Sequence, residues 1–184
     1  MAVFQPFVKA DQQKDHSEVT VEMLYACHDR VGRQCETLSR LAQHLLANGS
    51  DVSAQQAATA VLRYFDLAAP QHHADEELDV FPAILNATTG NSKADVAVLI
   101  DHLLQDHRTL ESLWEHLSIA LNRVAHGLPA QLNLDTLNAF LNCYRNHIDL
   151  ENQLLFAKLN QLLPNDEIAS IGRAMRHRRG IVSV

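Results

Sequence analysis

The chain has 184 residues, 47% of them hydrophobic but only 5% aromatic, and a formal net charge of −7 at pH 7. That length suits one domain with a sizeable core, and a Leu- and Ala-rich composition with six Gly and five Pro favours helices over many short strands. The negative charge argues against a nucleic-acid binder, since a phosphate-binding face needs a basic stripe, and no nucleic-acid partner is expected.

The start, MAVFQPFVKADQQKDH, lacks the basic and apolar regions of a signal peptide, and no window of about 20 apolar residues exists to cross a bilayer. A cytoplasmic protein with no membrane partner is expected. Cys27, Cys35 and Cys143 form no CxxC, which fits reduced thiols packed as small core residues. Residues 1–16 read as an N-terminal arm and 17–184 as one bundle domain.

The first long pattern, roughly 18–47, carries Leu24, His28, Val31, Cys35, Leu38, Ala42 and Leu45 at the alternating spacing of a helix seam. Asp15 or Ser17 is placed to cap its start, and Asn48-Gly49 to stop it. A second helix, opening on the capping-box spacing of Ser53 and Gln56, runs to about Leu85 with a bend expected at Pro70. Its seam reads Val61, Phe65, Ala69, His72, Glu76, Val80 and Ala83. A competing frame, shifted by one, reads Leu62, Asp66, Ala69, His73, Glu77, Val80 and Ile84; Phe65 against Asp66 favours the first.

A third helix, with Ser92 and Asp95 as a second capping box, ends near His126-Gly127. Its seam is the cleanest: Val96, Ile100, Leu103, His107, Leu110, Trp114, Leu117 and Leu121, with His102 and His116 off it. The fourth, about 133–163, places Phe140, Cys143, His147, Leu150 and Leu154 inward, with Glu151 on the same stripe, and Pro164 ends it. A short fifth helix follows, able to lay Ile168, Ile171 and Met175 against the end of the bundle. The basic cluster RAMRHRRG at 173–180 serves there as the cationic terminus that offsets the helix dipole. Connections of about 5 to 9 residues predict an all-α, up-down-up-down antiparallel four-helix bundle with a short C-terminal fifth helix.

Each of the four long seams is interrupted by one histidine, at depths compatible with a single layer. Burying an unpaired imidazole costs a few kcal/mol, and an unpaired carboxylate more. A lone seam histidine is more often a hydrogen-bonded core residue than a ligand. Four on four seams, two followed at i+4 by Glu76 and Glu151, reverse those odds, because a divalent cation binds neutral imidazoles and carboxylates directly. Six ligands exceed one zinc site and point to two cations bridged by the carboxylates. The pair His73 and Glu77 reads as an ordinary solvent-side i,i+4 contact. No histidine has Asp or Glu three residues before it, which excludes the Glu-x-x-His site of ferritin-like bundles.

These residues resemble the hemerythrin-like, or HHE cation-binding, family over nearly the whole chain. The family's second-helix pattern His-x3-Glu-Glu-x3-Phe-Pro falls on His72, Glu76, Glu77, Phe81 and Pro82; HIDLENQLLF gives His147 and Glu151, DHRTLESL gives His107, and ACHDRV gives His28. The resemblance implies a non-haem di-iron centre, with manganese or zinc also suited to such ligands, and an open position for O2, NO or peroxide. Oxygen-carrying hemerythrins have His-x3-His on the third helix, where this chain has Glu111. A carboxylate there, available as a further metal ligand, is more like the iron-sulfur repair and iron-sensing branches, although the cysteine-bearing N-terminal segment usual in the repair proteins is missing from residues 1–16. The readings left open are reversible ligand binding, turnover or iron donation in stress repair, and sensing through a protein partner. Backbone carbonyls, Tyr144 or Glu77 are expected to orient the ligating imidazoles, and Trp114 to pack.

Overall fold

The computed structural model of the protein describes residues 16–181. Most of the expected N-terminal arm, with Asp15 as a cap, lies outside them. Helix α1 spans His16–Asn48, so Ser17 sits inside its first turn rather than capping it. The second rod is three helices in line: α2 (Val52–Arg63), α3 (Ala69–Asp75) and α4 (Phe81–Ala87), joined by π turns at Tyr64–Ala68 and Glu76–Val80. The third rod is the uninterrupted α5 (Asn91–Ala125). The fourth comprises α6 (Leu134–Leu150), a π turn at Glu151–Leu155, one 3-10 turn at Phe156–Lys158 and α7 (Leu159–Leu162); α8 (Asn165–Arg178) follows. No strand occurs among the described residues, and none of their helices is long and apolar enough to cross a membrane.

The rods form the expected up-down-up-down bundle, α1 against α2 and α6, α2 against α5, and α5 against α6. The caps differ from expectation. Asp51, not Ser53, starts α2 by accepting from Ala54 N at 2.8 Å. Gly90, at φ 63°, precedes α5 and leaves Ser92 inside it. In both cases a residue two positions earlier that can leave helical geometry takes the cap. Asn133 caps α6 through Thr136 N, and Gly127 at φ 71° closes α5 where Gly was expected.

Pro70 does more than bend its rod. A proline has no N–H for the carbonyl four residues back, and its ring crowds that carbonyl. Here the chain widens just upstream, with Ala69 N–H reaching Tyr64 O. Pro82 repeats the arrangement, with Phe81 N–H reaching Glu76 O. The first seam frame holds throughout, from Val61 to Ala83.

The fourth seam needs one correction. Leu154, expected inward, is 41% exposed, while Leu155 is buried. The π turn from Glu151 adds one residue to that turn and rotates everything downstream.

Two apolar clusters fill the bundle. Val31, Ala69, Leu110 and Tyr144 belong to one, and Leu24, Val80, Leu103 and Leu155 to the other. Between each such pair along its rod stand His28, His72 with Glu76, His107, and His147 with Glu151. The histidine layer is therefore a polar slab closed above and below by close-packed hydrocarbon, each fully buried leucine of which contributes roughly 1.5–3 kcal/mol. Helix α8 packs along α1 rather than only at the bundle's end, burying Ile168, Ile171 and Met175.

Candidate metal centre

Four rods deliver the layer's side chains. His28, His72, His107 and His147 are all buried, and Glu76 and Glu151 have no exposed surface at all. Within 4.8 Å of one another lie ligand atoms of His28, His72, Glu76 and Glu151, and separately those of Glu76, His107, His147 and Glu151. Two four-ligand groups thus share both carboxylates.

The shared pair divides its oxygens by distance. Glu76 Oε1 stands 3.1 Å from His72 Nε2 and 3.6 Å from His28 Nε2, while its Oε2 stands 3.4 Å from His107 Nε2. Glu151 Oε2 lies 3.0 Å from His28 Nε2 and 3.3 Å from His147 Nε2. These contacts are close without hydrogen-bond alignment: all four carboxylate oxygens and His28 Nε2 are buried with no hydrogen-bond partner among the described residues. His107 Nε2 and His147 Nε2 face each other at 3.1 Å, so one must carry a proton.

In the cation-free protein the cost shows as displaced protonation. Burial pulls His28 down, but Glu151 and Glu76 beside it outweigh burial and hold the imidazole up at about 10. His107 is likewise pulled down by burial and raised on balance by Glu76 and Glu77. Burial holds His72 below its ordinary value. Glu76, which burial alone would raise, is driven well down by His72, His107 and His28. Protons here stand in for missing positive charge. Converging imidazole nitrogens around two unsatisfied carboxylates fit a divalent cation pair, which needs those donors deprotonated.

The outer faces of the rings are fixed. His28 Nδ1–H donates to Asn152 Oδ1 at 2.8 Å and His107 Nδ1–H to Glu77 Oε1 at 2.6 Å, so both Nε2 atoms turn inward, where each would donate a lone pair to a cation in place of a proton. His147 Nδ1 lies 3.5 Å from Asp106 Oδ2. Glu77 was one of the partners expected from sequence. Asn152 and Asp106 were not, although Asn152 stands in the quoted Glu-Asn segment and Asp106 directly precedes His107.

Two expected roles fall elsewhere. Glu111 is exposed and joins neither ligand group. His73 does not pair with Glu77 on the solvent side. Its ring stacks on His107 at 3.9 Å with planes 9° apart, and its Nε2 is buried with no hydrogen-bond partner among the described residues. The π turn that starts at Tyr64 rotates His73 toward the interior after Asp66 has pointed out.

The basic end of α8 also does more than offset a dipole. Arg178 reaches Asp75 and, at 2.7 Å, Asp79; Arg179 Nη2 lies 2.5 Å from Asp75 Oδ2. Asp75 is wholly buried next to Glu76, so the clamp fixes the backbone that presents the shared carboxylate. Two openings approach the layer. A cleft of about 820 Å³ between α1 and α6 reaches His28 and Asn152, and a cavity of about 330 Å³ reaches His107 and His73.

Comparison with known proteins agrees with this geometry. The family description "Hemerythrin HHE cation binding domain" matches residues 19–159. An uncharacterized protein of Haemophilus influenzae is 33% identical over 161 residues, covering 88% of this chain and 90% of its own.

Proposed function

Because this chain belongs to the hemerythrin HHE cation-binding domain family, we propose that it is a non-haem di-iron protein that binds O2, NO or peroxide at an open iron position. His28 and His72 would hold one iron, His107 and His147 the other, with the Glu76 and Glu151 carboxylates available to both. The observation that carries this reading is the pair of four-ligand groups sharing both carboxylates. A pair of ferrous ions supplies electrons and vacant coordination positions when bound.

The chain's own residues do the rest. Asn152 and Glu77 keep Nδ1 of His28 and His107 protonated, so the Nε2 lone pairs stay available as donors. The Asp75–Arg178–Arg179 clamp holds the Glu76 turn against α8. Phe81 and Phe156, both buried, lie on the rings of His107 and His28 and exclude water from one side of the layer. Two histidines and the two shared carboxylates would give each iron four protein ligands, fewer than six, and the 330 Å³ cavity gives the His107 side a path from solvent.

Metal analysis of protein purified from iron-replete cells without added metal tests the reading. Two irons per chain are expected, with an oxo-bridge absorption band that changes on reduction and again when NO is added. Fewer than one metal per chain, or full iron retention in a His28→Ala, His147→Ala double variant, would overturn it.

A further inference from the structure

The cavity beside His107 is too large for the ligand just proposed. A water molecule's share of liquid is about 30 Å³, and a diatomic needs little more. The cavity, which opens to solvent on one side, measures about 330 Å³, roughly ten times that. It falls instead at the lower end of the range for pockets that enclose organic ligands, roughly 300–1,000 Å³.

Its lining is specific. Phe65, Trp114 and Tyr144 contribute rings, with Phe65 4.9 Å from Trp114 and 5.6 Å from Tyr144 between centroids. Trp114 spends its single polar atom elsewhere, donating to Asp66 Oδ1 at 2.8 Å, so the indole is an apolar wall. Ala69 and Ala74 on the second rod supply the space that larger side chains would fill. At the inner end His73 lies flat against His107, and its buried Nε2 has no hydrogen-bond partner among the described residues. An unpaired buried ring nitrogen costs free energy until something meets it.

The charges select the ligand's sign. Glu77 and Glu111 both line the cavity and are exposed, whereas Arg108, the one arginine or lysine among the described residues lining it, is turned onto Gln105 through two hydrogen bonds. An anion is disfavoured. A neutral flat ring carrying a hydroxyl fits every wall: the ring stacks among aromatic side chains, and the hydroxyl donates to His73 Nε2 or accepts from it, whichever tautomer is present.

We infer that the cavity bounded by Phe65, Trp114, Tyr144 and His73 is a binding site for a small neutral phenol, placed against the His107 side of the metal centre. This deepens the di-iron reading, on which it rests in one respect: the phenol's hydroxyl end meets His73, whose ring lies on the imidazole assigned to the second cation. It gives that centre an organic ligand as well as a diatomic one.

Trp114 is the only tryptophan in the chain and lines the cavity, so its fluorescence reports occupancy without turnover. The protein as purified is titrated with 4-nitrophenol at a pH below the probe's ionisation, with free tryptophan as the control for absorbed light. Saturable one-to-one quenching is expected, reversed by unsubstituted phenol and not reproduced by benzoate, an anion of similar size. Ala74→Phe, and independently Ala74→Leu, should weaken it by at least about tenfold, since each puts side-chain volume where the ligand packs. Helicity and metal content of each variant are measured alongside. Quenching that never saturates, that survives both substitutions in folded protein, or that benzoate matches overturns the site. Metal analysis of the same samples separates the two readings: two irons with no phenol binding sinks this inference alone, and phenol binding with no metal sinks the di-iron reading alone.

Discussion

If both carboxylates are shared while each histidine serves one side, single substitutions should divide into two classes. His72→Ala removes a donor from one group only, and His147→Ala from the other only, so each should leave one cation per chain. Glu76→Gln should affect both, because Oε1 faces His72 and His28 while Oε2 faces His107. The magnitude follows from charge. Two divalent cations there would face two carboxylates in a layer otherwise filled by neutral imidazoles. Removing one unit of negative charge about 4 Å from a cation forfeits roughly 4 kcal/mol per unit of cation charge at an effective dielectric of 20. That is about a thousandfold in affinity at each position, even before doubling for divalency. The assay is metal stoichiometry after dialysis against a chelator buffered to a fixed free-metal concentration, comparing wild type, His72→Ala, His147→Ala, Glu76→Gln and Glu151→Gln. Two, one, one, zero and zero are expected. A Glu76→Gln protein that keeps two cations, or a His72→Ala protein that loses both, would refute the shared-carboxylate arrangement.

Asn152→Ala frees His28 to rotate or change tautomer and should weaken the His28-side cation about 10–100-fold while sparing the other; Glu77→Gln should do the reverse, both read by competition with a chelator. In metal-free protein the stability held by the His28 imidazolium, raised from 6.5 to about 10, is fully present below pH 6.5 and lost as pH rises through about 10. Loaded protein, in which His28 Nε2 would carry no proton while Nδ1–H stays on Asn152, should lack that alkaline loss in thermal melts. Gly172→Ala should destabilise by roughly 1–3 kcal/mol, because its Cβ would collide with the Thr20 hydroxyl where α8 crosses α1; adding Thr20→Ala should recover part of the fall in melting temperature. Deleting Gln153 should be tolerated, since the π turn can close to an ordinary turn with the downstream register intact, whereas deleting Asn142 from regular helix should unfold the fourth rod. Circular dichroism and metal content separate these outcomes.

The histidine layer was legible because helical periodicity is a strong signal over long rods. His28 sits between Leu24 and Val31, and His107 between Leu103 and Leu110, at spacings that allow one inward face. What escaped reading was phase. A π turn carries no composition of its own, so the inward turn of His73 and the exchange of Leu154 for Leu155 could not be seen from a constant 3.6-residue period. Pro70 and Pro82 were the available clues, each two residues past a widened turn, while the turn at Glu151 has no such marker. The Asp75 clamp was hidden for a different reason. Asp75 and Arg178 are 103 residues apart, and a buried aspartate beside a buried glutamate on one turn looks from sequence like a solvated acidic run.

The three π turns are connected to the chemistry they flank. Two of them begin at the shared carboxylates, Glu76 and Glu151. A residue opening a π turn keeps its upstream neighbours in α register, which holds His72 and His147 one turn before their glutamates on the same face. Downstream the phase advances, and Phe81 and Phe156 swing in to cover His107 and His28. A regular helix at these positions would follow each glutamate with the next residue of the same stripe, leaving the rings of the neighbouring rods uncovered. The widened turns therefore let one rod present a histidine, a carboxylate and an aromatic shield in immediate succession. Their less favourable backbone geometry is offset by the two apolar clusters that close the layer on either side.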